Sequence, residues 1–137
     1  MISTFRRRVA ARRRSGSAIM ELAICLPVVV MLVFGTLEAC SMIFLQQTLT
    51  AAAYEGASDG TKCNGSTQKA RTRCQEVITA RRVANATITL NPPSIETTLQ
   101  GSPVTVTVSA PCGSNGILPV RFYVGRTLSA QCTMLKE

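Results

Sequence analysis

The chain has no histidine and no tryptophan, 4% aromatic residues, and only seven carboxylates against fifteen cations in 137 residues. Without histidine there is no imidazole base, no imidazole metal ligand, and no Ser-His or Cys-His nucleophile pair. The carboxylates Asp59, Glu76 and Glu96 stand in no motif that joins them to a Ser or Thr hydroxyl. An enzyme is therefore not expected, nor a cofactor, nor a small-molecule substrate. What the sequence does hold is apolar material, 46% of all residues with only 16% charged. That is high for a soluble domain this small and implies contact with lipid. The length permits one small folded domain at most.

The formal charge of +8 is concentrated at one end. Arg6, Arg7, Arg8, Arg12, Arg13 and Arg14 supply six of the cations, which leaves 9 cations and 7 anions over residues 17–137. A basic chain invites a nucleic-acid reading. Positive charge confined to a short leader and followed directly by an apolar stretch fits a cytoplasmic membrane flank better, so no nucleic-acid partner is expected.

The stretch LAICLPVVVMLVFGTL, Leu22 to Leu37, is uncharged, and ACSMIFL follows Glu38. From Glu21 to Glu38 a helix rising 1.5 Å per residue covers about 26 Å, close to the roughly 30 Å of hydrocarbon in a bilayer. The two carboxylates then sit near the two boundaries. A buried core helix would need far more protein to cover it, and a signal-peptide apolar region is shorter. The Ala51-Ala52-Ala53 run, although like a signal-peptidase site, lies too far from the Arg cluster. The arginines stay inside and everything after about Leu45 lies outside, the arrangement of a single-pass membrane protein. Pro27 removes one backbone donor within the span, where a kink is tolerable if neighbouring helices pack against it.

Where the basic and apolar stretches meet, the sequence reads RRRSGSAIMEL, with Gly16, Ser17, and Glu21 as the fifth residue after the glycine. Further on come the LP-containing span, Gly35-x-x-Glu38 and Ala52-Ala53-Tyr54-Glu55-Gly56-Ala57. The first junction resembles the processing site of type IV prepilins. The whole run to residue 57 is similar to the TadE-like minor pilins, and VTVTVSA and TLSAQCTMLKE look like that family's closing strands. Cys25 and Cys40 within the span, and the cysteine-rich exterior, depart from the pattern.

The resemblance implies a subunit of a Tad (Flp) pilus or related secretion apparatus, acting in adhesion or filament assembly. It implies that a TadV-like prepilin peptidase cuts between Gly16 and Ser17, and that the partners are membrane lipid, other pilin subunits and Tad machinery proteins. Cutting there removes six positive charges and leaves an α-amino group at Ser17. Glu21 then has two readings, pairing with a neighbouring subunit's amine during assembly or favouring the positive end of its own helix. Glu38 has a parallel pair, and a solvated carboxylate at the outer boundary is preferred over a subunit contact. The rival to a processed pilin is an uncleaved single-pass protein displaying a ligand- or partner-binding exterior domain. Cys25 and Cys40 read as small apolar residues.

Beyond the span, Met42, Leu45, Leu49, Ala53 and Ala57 recur at three- and four-residue steps, so the helix continues as an amphipathic rod to about Ser58. Its stripe is expected to dock the chain's own C-terminal part. A second helix is predicted over Ser66 to Ala84, with Lys69, Arg71, Arg73, Arg81 and Arg82 on a solvated face; anionic headgroups, an acidic partner or a surface polymer are the alternatives. Alternation of period two then predicts strands at Thr87–Leu90, Ile95–Leu99, Val104–Val108 and around Leu128–Met134, after a Gly- and Pro-rich loop over Pro111–Gly125. The expected fold class is α+β, with a long N-terminal helix, a short helix and a three- to four-stranded antiparallel sheet. The expected divisions are a leader over 1–16, a hydrophobic helix over 17–58 (span about 22–45, amphipathic extension 46–58) and an exterior domain over 59–137. Four cysteines fall in that exterior. Local closure favours the disulfides Cys63–Cys74 and Cys112–Cys132. The spacings contain no C-x-x-C knuckle, which argues against a four-cysteine zinc site.

Overall fold

The structure is a computed structural model that describes the backbone of residues 3–116, 123 and 125–137, with side chains from residue 16 onward in those ranges. The side chains of the Arg-rich leader, and residues 117–122 and 124 of the loop expected over 111–125, lie outside the described residues. The chain divides into two compact units, Met1–Leu37 and Glu38–Glu137. Helix α1 covers Ser3–Thr61, and its helical hydrogen bonding continues through Pro27. Helix α2 (Thr67–Ala80) follows, then strands β1 (Thr87–Asn91) and β2 (Pro103–Pro111), the single turn α3 (Cys112–Asn115) and strand β3 (Thr127–Leu135). The mixed α+β class expected from periodicity is the one observed.

In the second unit the outer part of α1 buries one continuous stripe. Met42, Leu45, Leu49, Ala52, Ala53 and Ala57 are all buried, at the three- and four-residue spacing that brings side chains to one helix face. They meet Ala70, Cys74 and Ile78 of α2 and Leu90, Val104, Val106, Val108, Ala110 and Ala130 of the sheet. The stripe begins at Glu38, so residues 38–58 pack within the second unit. Two glycines set how closely the helices approach. A Cβ on Gly56 would lie 2.1 Å from Cys74 Sγ, and one on Gly60 would lie 3.0 Å from Ala70 Cβ. A side chain at either position would force α1 and α2 apart.

The sheet has the order β1-β2-β3 with both pairings antiparallel. Its alternate residues separate cleanly. Val104, Val106, Val108 and Ala110 face the core, whereas the other face carries cross-strand rows of uncharged polar residues. Thr87, Ser109 and Ser129 form one row, Thr89, Thr107 and Gln131 a second, and Asn91, Thr105 and Thr133 a third. The Thr105 and Thr133 hydroxyls lie 2.8 Å apart. One face is packed and one is solvated, as alternation in an antiparallel sheet requires.

Three expectations are corrected. Residues Ile95–Leu99 do not form a strand. Ser94 and Glu96 favour local bonding instead: the Thr97 and Thr98 hydroxyls donate to the Ser94 carbonyl at 3.3 and 3.0 Å, and Thr98 N donates to Ile95 O at 3.2 Å. Such side-chain bonds offer the backbone an alternative to a ladder. The loop is drawn together by Lys136, whose ammonium donates to the carbonyls of Ile95 and Thr98, both at 2.8 Å.

Helix α2 stops at Ala80, earlier than the expected Ala84. Arg82 takes φ 55°, its N–H donates to Thr79 O, and Val83 N–H donates to Ile78 O, both at 3.0 Å. This is a Schellman closure with arginine in the left-handed position that glycine usually fills.

The disulfide pairings are also corrected, for all six cysteines are free. Cys112 N donates to Arg126 O at 2.9 Å, so Cys112 sits level with Arg126, six residues from Cys132. At ~3.3 Å per strand residue the two cysteines are about 20 Å apart, far beyond the ~7 Å reach of a bridge. On the helix pair, Gly60 lies against Ala70 and Gly56 against Cys74, which makes α1 and α2 antiparallel. Cys63, beyond the end of α1, is then roughly 10 Å along the helix axes from Cys74, again too far.

Candidate functional site

The first unit presents the residues expected to carry processing and assembly. Between Gly16 and Leu37 every described side chain is exposed except Gly35, which is half-exposed. Ile19, Leu22, Ile24, Met31 and Leu32 each leave more than 60% of their surface uncovered. A helix apolar on all sides and packed against nothing within its own unit has the length and composition to cross a membrane, and the only helix of this kind among the described residues is α1. Exposed apolar area on that scale is not compatible with water and requires lipid or other protein. Glu21 and Cys25 are exposed on this surface, and nothing lies within 4 Å of a Cβ placed on Gly16. The peptide bond after Gly16 lies inside α1, within a helical turn. Glycine costs roughly 1 kcal/mol in a helix interior relative to alanine, which makes that turn easier to open.

Glu38 differs from the expectation of a solvated carboxylate: it is 3% exposed, at the start of the buried stripe of the second unit. The structure therefore separates the two acidic residues. Glu21 stands on the bare helix and Glu38 belongs to the folded body.

The basic face of α2 is sorted into groups with different surroundings. Arg73 reaches Glu76 at 2.9 Å, Glu55 at 3.2 Å and Asp59 at 3.6 Å, and Asp59 also pairs with Lys62. The Glu76 and Glu55 carboxylates push the Arg73 guanidinium up from its ordinary value, and the Lys62 ammonium holds the Asp59 carboxyl down. These groups are solvent-accessible, so each pair contributes little to stability. Asp59, Lys62, Arg73 and Glu76 line a groove of about 440 Å³ together with Asn64, Gln68, Lys69 and Thr72, a surface of mixed charge. Arg71, Arg81 and Arg82 have no ion pair among the described residues. Arg81 lies over the Phe44 ring, 5.7 Å from its centroid.

Sequence reasoning missed the anchor at the far end of the body. Glu96 accepts from the Thr67 N–H at 2.8 Å, the Thr67 hydroxyl at 2.7 Å and the Ser94 hydroxyl at 3.1 Å. The Thr67 hydroxyl above all, with backbone N–H groups, holds the Glu96 carboxyl down at about 2. No spacing in the sequence links residues 29 apart, so only the fold reveals this contact. Cys74 is a core residue whose thiol burial pushes up to about 11; its Sγ donates to Ala52 O at 3.3 Å. Among the described residues no group of three or more acidic or cysteine side chains is placed to hold a metal ion.

These features define a class: one apolar helix able to span a membrane, running into a small α+β body with no assembled catalytic set among the described residues. Residues 16–58 match the model of the TadE-like protein family. The match begins at the glycine of the expected processing junction and ends with the amphipathic extension. The match covers less than half of the chain. No curated protein and no solved structure matches the chain.

Proposed function

We propose that this chain is a TadE-like structural subunit of a Tad (Flp) pilus or related secretion apparatus. It is held in the inner membrane by the bare apolar stretch that starts at about residue 22 and ends where the body begins at Glu38, with its basic leader inside and its folded body outside. A TadV-like prepilin peptidase cuts between Gly16 and Ser17, and the freed helix is exchanged from lipid into a bundle of similar helices. The observation that carries this reading is the bare apolar surface of residues 16–37, joined without a break to a body whose own core is complete. Such a helix is uncovered in the isolated chain because its packing partners are supplied first by lipid and then by other subunits.

Cleavage changes the balance in two ways. Six arginines that favour the inside are lost, and a new α-amino group appears at Ser17, four residues before Glu21. An exposed carboxylate near the hydrocarbon edge is costly unless it is paired, so Glu21 accepts the Ser17 amine of a neighbour and sets the stagger between subunits. Pro27 loosens one hydrogen bond of the helix where it must adapt to new neighbours. In the body, the side of α1 away from the core shows Ile43, Gln47, Thr50 and Tyr54 to the outside, which extends the surface available to adjoining subunits in adhesion or filament assembly.

The test is intact mass and N-terminal sequencing of the chain recovered from cells with and without the peptidase, for the native sequence and for Gly16→Ala. The expected mature start is Ser17 in native protein made with the peptidase, and Met1 in the other three samples. A Met1 start in all four would overturn processing and leave an uncleaved single-pass protein with a partner-binding exterior.

A further inference from the structure

The body over 38–137 is polarised in charge along α1. The chain enters it at Glu38, and near that end lie three exposed arginines, Arg81, Arg82 and Arg126. Contacts within the body bring them together. Arg81 covers Phe44. Ala84 N donates to Asn115 Oδ1 at 2.7 Å, and Asn115 Nδ2 donates back to Ala84 O at 3.0 Å, which ties the end of α2 to α3. The first residue of α3, Cys112, donates its N–H to Arg126 O. Gln46 Nε2 donates to Ser129 O at 3.2 Å, which sets this end of β3 beside the start of the body's helix. The exposed carboxylates are elsewhere: Glu55, Asp59 and Glu76 surround Arg73, and Glu96 binds Thr67 at the opposite end. Among the described residues the only carboxylate at the Glu38 end is Glu38 itself, and it is buried.

Two further observations bear on this end. Ile43 and Phe44 leave 59% and 60% of their surfaces uncovered, apolar side chains next to arginine, the combination that settles at a membrane interface. Arg82 occupies the left-handed position of the Schellman closure, where glycine would relieve the backbone.

We propose that this end of the body is a collar for anionic phospholipid headgroups. Arg81, Arg82 and Arg126 take the phosphates, and Ile43 and Phe44 enter the apolar boundary beneath them. The complement of three exposed arginines with no exposed carboxylate beside them is a layer of negative charge. Continuity of the chain from the apolar stretch into Glu38 brings that layer within reach. The inference rests on reading the apolar stretch from about residue 22 to Leu37 as a membrane span. By seating the body on the membrane, the collar would hold the subunit until assembly draws it away.

The test uses the full chain in nanodiscs of phosphatidylcholine alone or with phosphatidylglycerol, read by amide hydrogen exchange. The expected result is incorporation into both, with exchange over residues 81–86 slowed about tenfold by the anionic lipid and that over 94–99 unchanged. Combined Arg81→Gln, Arg82→Gln and Arg126→Gln should abolish the difference. Arg82→Gly alone should reduce it while the body melts no lower than the native one, which separates lost binding from lost folding. Equal exchange in the two lipids would overturn the collar and leave the span intact. The same slowing by soluble glycerol phosphate in phosphatidylcholine discs would also overturn it, as the site would then bind free anions. Failure to enter either disc would remove the span reading and the collar with it.

Discussion

Residues 16–37 and 38–61 are two halves of one helix, of similar length and both rich in apolar side chains, yet their surroundings are opposite. Leu32 is 65% exposed and Leu49 is fully buried. The difference lies in pattern, not in total hydrophobicity. In the second half Gln47, Thr50 and Glu55 interrupt the apolar residues, so one face is left for the chain's own sheet and the other for solvent. In the first half no face is polar, so intramolecular packing against one side would never be enough. A helix that is apolar all round belongs to a solvent or an assembly, while one that is apolar on a stripe belongs to a core.

The sharpest test substitutes leucine in each half. Leu49→Ala should lower the stability of the body by about 2–5 kcal/mol, measured by denaturant unfolding of the detergent-solubilised chain, because it opens a cavity among fully buried neighbours. Leu32→Ala should change that unfolding by less than about 0.5 kcal/mol. Comparable losses from both would erase the distinction between the halves.

The next effect concerns the close approach of α1 and α2. Gly56→Ala should cost roughly 1–3 kcal/mol by overpacking against Cys74. Adding Cys74→Ala should recover part of that loss, since the nearest obstructing atom is the Cys74 sulfur. A cost that the second substitution does not lessen would mean that the helices are separated by something other than this contact.

A smaller effect of opposite sign is expected at the end of α2. Arg82→Gly should raise stability by up to about 1 kcal/mol, because glycine adopts positive φ without a Cβ penalty. Thermal unfolding at low ionic strength would detect it, and a lower melting temperature would contradict the assignment of strain.

The smallest is a pH effect confined to one loop. The Glu96 carboxyl is held at about 2, below its ordinary value of 4.5. A depressed acid contributes stability that is complete above its unfolded value and is lost as pH falls from about 4.5 towards 2. Amide exchange over residues 94–99 should therefore accelerate in that window, and Glu96→Gln should remove the dependence. Exchange that stays flat would show that the carboxylate does not restrain the loop.

Much of the architecture was legible because it is written in local periods. The three- and four-residue spacing of Met42, Leu45, Leu49, Ala53 and Ala57 and the alternation of Val104, Val106 and Val108 each need only a short window to read. What failed depended on partners distant in sequence. Ile95 to Leu99 alternates like a strand, but Lys136 gathers its carbonyls and Thr67 binds Glu96, and no local pattern announces either residue. The cysteine pairings failed for a related reason, since local closure ignores the register that sets Cys132 opposite Val106. Glu38 looked like a boundary carboxylate by spacing, and only the packing of the stripe shows that it is buried. The cations of α2 appeared as one face, whereas their neighbours divide them between the mixed-charge groove around Arg73 and the arginines at the Glu38 end.

The glycines at 56 and 60 have a consequence for any assembly that uses α1. By letting α2 lie almost against the α1 backbone, they act as a keyway that stops the outer part of the rod from turning relative to the sheet. Ile43, Gln47, Thr50 and Tyr54 then always point along one bearing from the uncharged face built of Thr89, Thr107 and Gln131. Two hydrogen atoms in place of side chains thus fix the angle between that helix surface and the polar face of the sheet.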